Sequence, residues 1–274
     1  MTGTVRGGTI ATTGGGTIHI PAMAHATFDH VTVNGLVSVE GSLDVVGPLV
    51  GSGTLRFDNT ESSYNLSRIN AGTIGAGVTT EGGVDLGYDD NPPKPLVTVD
   101  DNDGRIRAQR SRLLNRSGRL RIESSNSPGA GFIRNSGIFE VSDGAVLTSL
   151  SHVEFRENGA LLIAGGGKLE ILGDLDLSTP VDFIDVLPKL GGGAYIDYVV
   201  ASYTGTLSGT FDHWTDGISV SYTTPGEIRI TGTPVPEKTC FGRNDDRDLR
   251  RLSLPSPPPP SPVMRGRGLR GSVA

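Results

Sequence analysis

The chain has 274 residues, of which 35% are hydrophobic, 20% charged and 5% aromatic, and its single cysteine, Cys240, excludes an internal disulfide and a cysteine-based zinc cluster. The segment from Pro234 onward carries 8 Lys or Arg against 4 Asp or Glu, which leaves 16 against 26 in residues 1–233. Such an acidic body argues against a nucleic-acid-binding protein, because phosphate contacts need a cationic face.

Short strand-like segments recur along the chain, each alternating apolar and polar residues with the period of two that a β-strand requires. In chain order they are GTIHI from Gly16, HVTV from His30, GLVSVEGSLDVV from Gly35, GTLRF from Gly53, LVTV from Leu96, GRIRA from Gly104, GRLRI from Gly118, GIFEV from Gly137, GALLI from Gly159, GKLEIL from Gly167 and GDLDL from Gly173. Helical spacing is nowhere sustained, and the connectors consist of Gly, Asn, Ser, Thr and Asp, which favour turns. The pattern predicts an all-β chain.

The irregular return of one glycine-plus-alternation unit is typical of a supersecondary unit that stacks on copies of itself. We therefore predict that residues 1–188 form a β-solenoid, specifically a single-stranded right-handed parallel β-helix. Coils of roughly twenty residues would give about eight or nine rungs. An antiparallel β-sandwich is the alternative, since many short strands separated by turns fit that fold too.

The pattern changes after residue 188. Residues 189–233 contain four of the six tyrosines and the only tryptophan, Trp214, in longer strands. A solenoid must cover its open end, where apolar core and unpaired backbone are exposed, so we predict a C-terminal β cap here.

This closing segment resembles a known module. The succession AYIDYVVASYTGTLSGTF, GISVSY and GEIRITGTPVPE is similar to the closing module of bacterial surface β-solenoids of the autotransporter-passenger type and of proteins with a PEP-CTERM sorting signal. The resemblance covers mainly residues 190–237 and implies an exported protein, extracellular or on the cell surface. Lys238 stands where the sorting signal has a second proline, and its apolar span and terminal arginine cluster are missing, so the anchoring role does not transfer.

The last segment, residues 234–274, loses the period of two and contains the run Pro257 to Pro260, which no sheet can pair with. We predict a disordered Pro/Arg-rich tail, either native or the product of a changed reading frame or gene boundary. No apolar run reaches eighteen residues, and the first twenty residues lack the layout of a secretory signal. The sequence thus predicts no membrane span and no signal peptide in this chain.

Two loops rich in aspartate are weak candidates for a calcium site, through Asp89, Asp90, Asp101 and Asp103. Asp, Asn and Gly are also ordinary turn residues, and this second interpretation is favoured. The five histidines have no metal-ligand spacing, and no Gly-x-Ser-x-Gly motif marks a nucleophile. The sequence predicts no cofactor and no catalytic residue.

Arginines are concentrated between Arg105 and Arg121. Arg105, Arg107, Arg119 and Arg121 alternate with apolar residues, so we expect them to share one outer face, where guanidinium groups could bind an acidic glycan. The competing interpretation is that they pair with nearby acids, namely Asp100, Asp101, Asp103 and Glu123.

These features predict a structural or adhesive surface element without catalytic activity, in contact with acidic polysaccharide or with neighbouring surface proteins. A polysaccharide lyase or hydrolase acting through the face from Asp89 to Arg121 is the alternative. An enzyme would concentrate carboxylates and arginines in one concave patch, whereas a scaffold would spread its polar residues along its faces.

Overall fold

The computed structural model describes residues 2–57, 67–82, 84–85, 95–109, 118–126, 129–142, 144–187 and 193–235. Within these ranges every regular element is a β-strand, and there is no helix. The strands belong to three series of hydrogen-bonded neighbours, here called sheets I, II and III.

Sheet I is the largest. Its neighbours run in the order β1 (Thr2–Arg6), β4 (His25–Asp29), β7 (Ser42–Val46), β10 (Arg68–Ala71), β14 (Leu96–Thr98), β17 (Gly118–Glu123), β20 (Val146–Ser149), β23 (Lys168–Ile171), β26 (Tyr195–Tyr203), β30 (Glu227–Gly232) and β29 (Ile218–Ser221), with β13 (Val84–Asp85) beside β17. Its strands from β1 to β26 are parallel, apart from β13.

Sheet II has two parts joined by a single bridge between Leu49 and Ile74. The first part contains β2 (Thr9–Ile10), β5 (Thr32–Val33) and β8 (Val50–Gly51), and the second contains β11 (Thr73–Ile74), β15 (Asp101–Asn102), β18 (Phe132–Asn135), β21 (His152–Phe155), β24 (Leu175–Leu177) and β27 (Leu207–Gly209). Sheet III contains β3 (Thr17–Ile20), β6 (Leu36–Val39), β9 (Thr54–Phe57), β12 (Thr79–Gly82), β16 (Arg105–Ala108), β19 (Ile138–Val141), β22 (Ala160–Ile163), β25 (Phe183–Val186) and β28 (His213–Trp214).

The chain visits the sheets in the order I, II, III, and it does so nine times from β1 to β28, with β13 as a side excursion. Each visit is one coil, and its strands pair in parallel with those of the coils before and after it. The prediction of an all-β chain with repeated parallel strands is confirmed, and the arrangement is solenoid-like. The antiparallel sandwich does not fit, because only β13 with β17, β26 with β30, and β29 with β30 pair in antiparallel fashion among the described strands.

The core follows from the alternation within each strand. In sheet III the inward residues of successive coils stand in register as a mainly apolar column, in which the buried Thr80 separates Val37 and Leu55 from Ile106, Phe139 and Leu161. The five apolar residues are Val37, Leu55, Ile106, Phe139 and Leu161. Each of these five side chains is fully buried. The stacked apolar column is what makes the coils cohere, since burial of a large aliphatic side chain stabilises by about 1.5–3 kcal/mol.

A polar pair is buried at the end of β15 and β18. Asn102 and Asn135 are in register and fully buried, and the Asn102 amide nitrogen donates to the Asn135 side-chain oxygen at 2.6 Å. The Asn135 amide in turn donates to the Gly137 carbonyl at 3.2 Å. Stacked amides of this kind let a coil turn sharply without leaving their donors unpaired.

Glycine precedes many strands because the chain turns there against the backbone of the previous coil. A Cβ atom added to Gly137 would lie 2.1 Å from the carbonyl oxygen of Gly104, and no side-chain rotation could relieve that contact. We expect Gly137→Ala to lower the free energy of unfolding by about 1–3 kcal/mol, as overpacking does. Gly72→Ala is the control, because nothing lies within 4 Å of its Cβ position. Urea unfolding measures both, and equal stability of the two variants would contradict this close approach.

The C-terminal part of the described chain differs from the preceding coils. β26, β27 and β28 continue the three sheets by one more coil, and β30 and β29 then extend sheet I in antiparallel fashion. Phe211 and Tyr195 are fully buried there, and Phe211 packs edge-on against Phe155 at 5.4 Å between ring centres.

The predicted boundaries at residues 188, 189 and 233 stay predictions. All described residues lie in a compact unit, Met1–Pro236. The predicted disordered tail lies outside the described residues from Pro236 onward.

Candidate functional site

Arg105 and Arg107 lie on the outer face of sheet III. Their β16 neighbours Ile106 and Ala108 occupy the inward positions and are fully buried, so the two arginines point away from the core. In register with Arg107 stand Glu81 of the preceding coil and Glu140 of the following one. Arg56 is in register with Glu81 one coil further back. Four successive coils therefore place Arg56, Glu81, Arg107 and Glu140 in one column of alternating charge, here called the charge ladder.

The charge ladder is closed by ion pairs along its whole length. Arg56 Nε lies 2.6 Å from Glu81 Oε1, Arg107 Nη1 lies 3.2 Å from Glu81 Oε2, and Arg107 Nε lies 2.9 Å from Glu140 Oε2. Arg105 joins from the adjacent column, with its Nη1 3.1 Å from Glu140 Oε2. The Glu81 side chain is only 5% exposed. Burial disfavours the charged form of Arg107, but attraction to Glu140 and Glu81 prevails and raises the pKa of Arg107 above its usual value.

Arg119 and Arg121 lie on a different sheet. They occupy outward positions of β17 in sheet I, between the buried Leu120 and Ile122. Arg119 Nη2 lies 3.3 Å from Glu170 Oε2. Within the described ranges, Arg121 makes no ion pair. The structure thus brings Arg105 and Arg107 together, and Arg119 and Arg121 together, but it does not join the two pairs into one stripe.

The partners of these arginines are also not those nearest in sequence. Glu81, Glu140 and Glu170 lie one or two coils away, whereas Asp101 pairs with Arg134 at 3.6 Å. Glu123 pairs instead with Arg68, whose Nη2 lies 2.5 Å from Glu123 Oε1. The prediction that the arginines pair with acids is confirmed for Arg105, Arg107 and Arg119, but their described ion pairs are with Glu81, Glu140 and Glu170 and not with the acids predicted.

Asp100 has a local structural role. Its carboxylate accepts hydrogen bonds from the hydroxyls of Ser124 and Ser125 and from the backbone of Ser125 and Asn126. Burial would raise the pKa of Asp100, but these hydrogen bonds from Ser125, Ser124 and Asn126 outweigh it and lower the pKa below its ordinary value. Asp100 therefore fixes the turn after β17.

Only two of the four candidate calcium ligands, Asp101 and Asp103, lie within the described residues. Asp89 and Asp90 lie outside the described residues, Asp101 pairs with Arg134, and Asp103 is exposed. In the described ranges, no group of three or more His, Cys, Asp or Glu side chains is placed to hold a metal ion. A calcium site between the two aspartate loops stays a prediction.

One group that the sequence analysis missed is Asp182, which is fully buried just before β25. Its Oδ1 accepts the Asp212 backbone N–H at 2.9 Å, while its Oδ2 has no hydrogen-bond partner among the described residues. Burial, helped by the negative charge of Asp212, raises the pKa of Asp182 to about 6, although the hydrogen bond from the Asp212 backbone opposes the rise.

The surroundings of Asp182 are equally unusual. The preceding residue, Val181, has a φ of 70°, a strained conformation for a β-branched side chain, and its N–H donates to Asp212 Oδ2 at 2.6 Å. Burial, together with the charges of Asp182 and Asp212, raises the pKa of Tyr222 to about 12, although its hydroxyl accepts the Phe211 N–H. A fully buried carboxyl cannot meet a substrate from solution, so we read this cluster as structural.

A sequence signal for Asp182 does exist. Asp182, Ile184 and Val186 share the inward side of the chain at β25, and an aspartate in an inward column is costly unless it is neutral or paired.

Two outer faces remain as candidate sites. They are the charge ladder on sheet III and the arginines of sheet I.

Comparisons with protein-family models, with curated proteins and with solved structures returned no match to this chain. The described residues contain no helix that is long and apolar enough to cross a membrane.

Proposed function

We propose that this chain is an exported structural or adhesive element of the bacterial cell surface without catalytic activity. In this proposal the coils form a single-stranded right-handed parallel β-helix, and residues 189–233 are its C-terminal cap. The charge ladder carries the proposal, because Arg56, Glu81, Arg107 and Glu140 neutralise one another over four coils. Such a face is rigid and polar, and its charged groups form ion pairs with one another within the sheet.

The surface location is supported by the resemblance of residues 190–237 to the closing modules of exported solenoids. The partners we propose are acidic polysaccharide or neighbouring surface proteins. A solenoid whose coils repeat the same faces can hold either of them by many weak contacts, whose combined strength far exceeds that of one contact.

The alternative, a polysaccharide lyase or hydrolase on the face from Asp89 to Arg121, is less well supported. Arg105 and Arg107, which would have to bind the acidic substrate, are engaged by Glu140 and Glu81. Hydrolysis would also need two carboxyl groups at a defined separation across the glycosidic bond, and Asp101 is engaged by Arg134.

An incubation experiment tests the proposal. We expect purified protein to leave pectin, alginate and sulfated glycans uncleaved, with and without calcium, as measured by absorbance of unsaturated products and by reducing ends. A commercial lyase on the same substrates is the control. Product formation above the background of a heat-treated sample would overturn the proposal in favour of an enzyme.

A further inference from the structure

Two ion pairs cross the outer face of sheet I near β17, and each spans the strand that lies between its two residues. Arg68 of β10 reaches over β14 to Glu123 of β17, and Arg119 of β17 reaches over β20 to Glu170 of β23. The bridged positions are buried although they face outward: Thr98 of β14 is 7% exposed and Thr148 of β20 is 3% exposed. The arginine stems therefore cover the hydroxyl side chains beneath them.

Arg121 lies between these two ion pairs and makes no ion pair with any carboxylate in the described ranges. Its registered neighbours are Leu96 in the preceding coil and Thr148 in the following one, and neither is charged. The two carboxylates of this face whose side chains the structure describes are already engaged: Glu123 by Arg68 and the Thr98 hydroxyl, and Glu170 by Arg119 and Lys168. Among these described side chains four cations, Arg68, Arg119, Arg121 and Lys168, stand against two anions, so the described part of this face has an excess of positive charge.

Several buried polar atoms of the same face have no hydrogen-bond partner among the described residues. They are the Nε atoms of Arg68, Arg119 and Arg121 and the Oγ1 atom of Thr148. A buried donor that lacks an acceptor destabilises the fold, and native proteins rarely tolerate several of them. Three of these atoms are N–H donors of guanidinium groups, and one of those groups, Arg121, pairs with no described carboxylate, so the group that would satisfy them is an anionic acceptor.

We propose that Arg121, flanked by Arg119 and Thr148, binds an oxyanion, namely a sulfate or carboxylate group. A guanidinium presents parallel N–H donors that match two oxygens of such a group, and the adjacent hydroxyl supplies a further donor. The ligand can be a free anion or a group carried by an acidic glycan. The second case rests on the proposed function, because it supplies the contact by which a surface solenoid would hold such a glycan.

Calorimetric titration of the whole protein with sodium sulfate at constant ionic strength, and separately with a heparin oligosaccharide, tests the proposal. We expect saturable binding at one site and at least a tenfold loss of affinity in Arg121→Gln. Arg121→Lys keeps the positive charge but lacks the parallel N–H donors of the guanidinium, so we expect an intermediate affinity. The matched control is Arg6→Gln, which makes the same charge change at a side chain that is 82% exposed in the first coil. Circular dichroism verifies that each variant is folded.

The result that overturns the proposal is absence of saturable binding of both probes, or an equal loss in Arg121→Gln and Arg6→Gln, which would leave only general electrostatic attraction. Tighter binding of the oligosaccharide than of sulfate identifies a glycan-borne group, and equal binding identifies a free anion. Cleavage of the glycan would defeat the proposed non-catalytic function while leaving the oxyanion site standing, so the two failures are distinguishable.

Discussion

Replacing Glu81 by glutamine is expected to lower the free energy of unfolding by about 3 kcal/mol. Glu81 is the only carboxylate between Arg56 and Arg107 in the charge ladder, and its side chain is 5% exposed. Removing one member of a buried ion pair leaves the opposite charge desolvated and uncompensated, which costs about 3–5 kcal/mol when burial is complete. The two arginines are about a quarter exposed, so we expect the lower end of that range.

The matched control is Glu154→Gln on sheet II. Glu154 pairs with Arg156 at 3.2 Å and with Arg134 at 3.8 Å, but these arginines are 43% and 40% exposed, respectively. Exposed pairs contribute about 0.2–1 kcal/mol, so this variant should unfold almost like the native protein. Equilibrium urea unfolding measures both, and a difference between the two variants of less than about 1 kcal/mol would show that the charge ladder is as weak as an ordinary surface pair.

Much of the fold could be predicted from the sequence, because the inward column requires apolar residues at every second position and each turn requires a small residue. The glycine that opens GRIRA, GIFEV and GALLI is explained by the backbone of the previous coil. Cβ atoms on Gly104, Gly137 and Gly159 would each lie within 2.5 Å of a carbonyl oxygen of an earlier residue. In sheet II, HVTV and GDLDL predicted β5 and β24, but β11 and β15 were not predicted, since strands of two residues without a flanking pattern are too short to show alternation.

The prediction that Arg105, Arg107, Arg119 and Arg121 share one face was wrong, and the spacing of these residues in the sequence explains why. Fourteen residues separate Arg105 from Arg119, whereas even the short coil from His25 to Ser42 takes 17 residues to return to the same sheet. Strands closer than one coil belong to successive sheets, so the two arginine pairs had to face different directions. The partners of Arg107, Glu81 and Glu140, are 26 and 33 residues away, and without a fixed coil length no sequence pattern identifies them.

The raised pKa of Asp182 could not be predicted from the sequence, because it depends on the residues that cover the carboxyl. The backbone N–H of Asp212 donates to one oxygen of the Asp182 carboxyl. The Tyr222 hydroxyl and the Asp212 carboxylate also face this carboxyl, and His213 attracts its charged form most weakly of these influences. Burial favours the neutral acid, which raises the pKa from an ordinary 3.8 to about 6. The folded protein therefore binds a proton more tightly at this position than the unfolded chain does.

That difference in pKa predicts how stability changes with pH. Below about pH 4 the carboxyl is neutral in both states and the fold suffers no penalty, whereas above about pH 6 it is charged in both, and the folded state bears the full desolvation cost. Each pKa unit corresponds to about 1.36 kcal/mol, so the contribution of Asp182 to stability should fall by on the order of 2–3 kcal/mol between pH 4 and pH 7.

Asp182→Asn should abolish this fall, because the amide is neutral at every pH and its oxygen can still accept the Asp212 N–H. We expect the variant to gain stability relative to the native protein as the pH rises from 4 to 7, by on the order of 2–3 kcal/mol over the interval, measured by urea unfolding at matched ionic strength. Asp216→Asn is the control, since Asp216 is exposed near the same end of the described chain and loses the same charge. A constant difference between Asp182→Asn and the native protein across this pH range would show that Asp182 has an ordinary pKa and that its carboxyl reaches water.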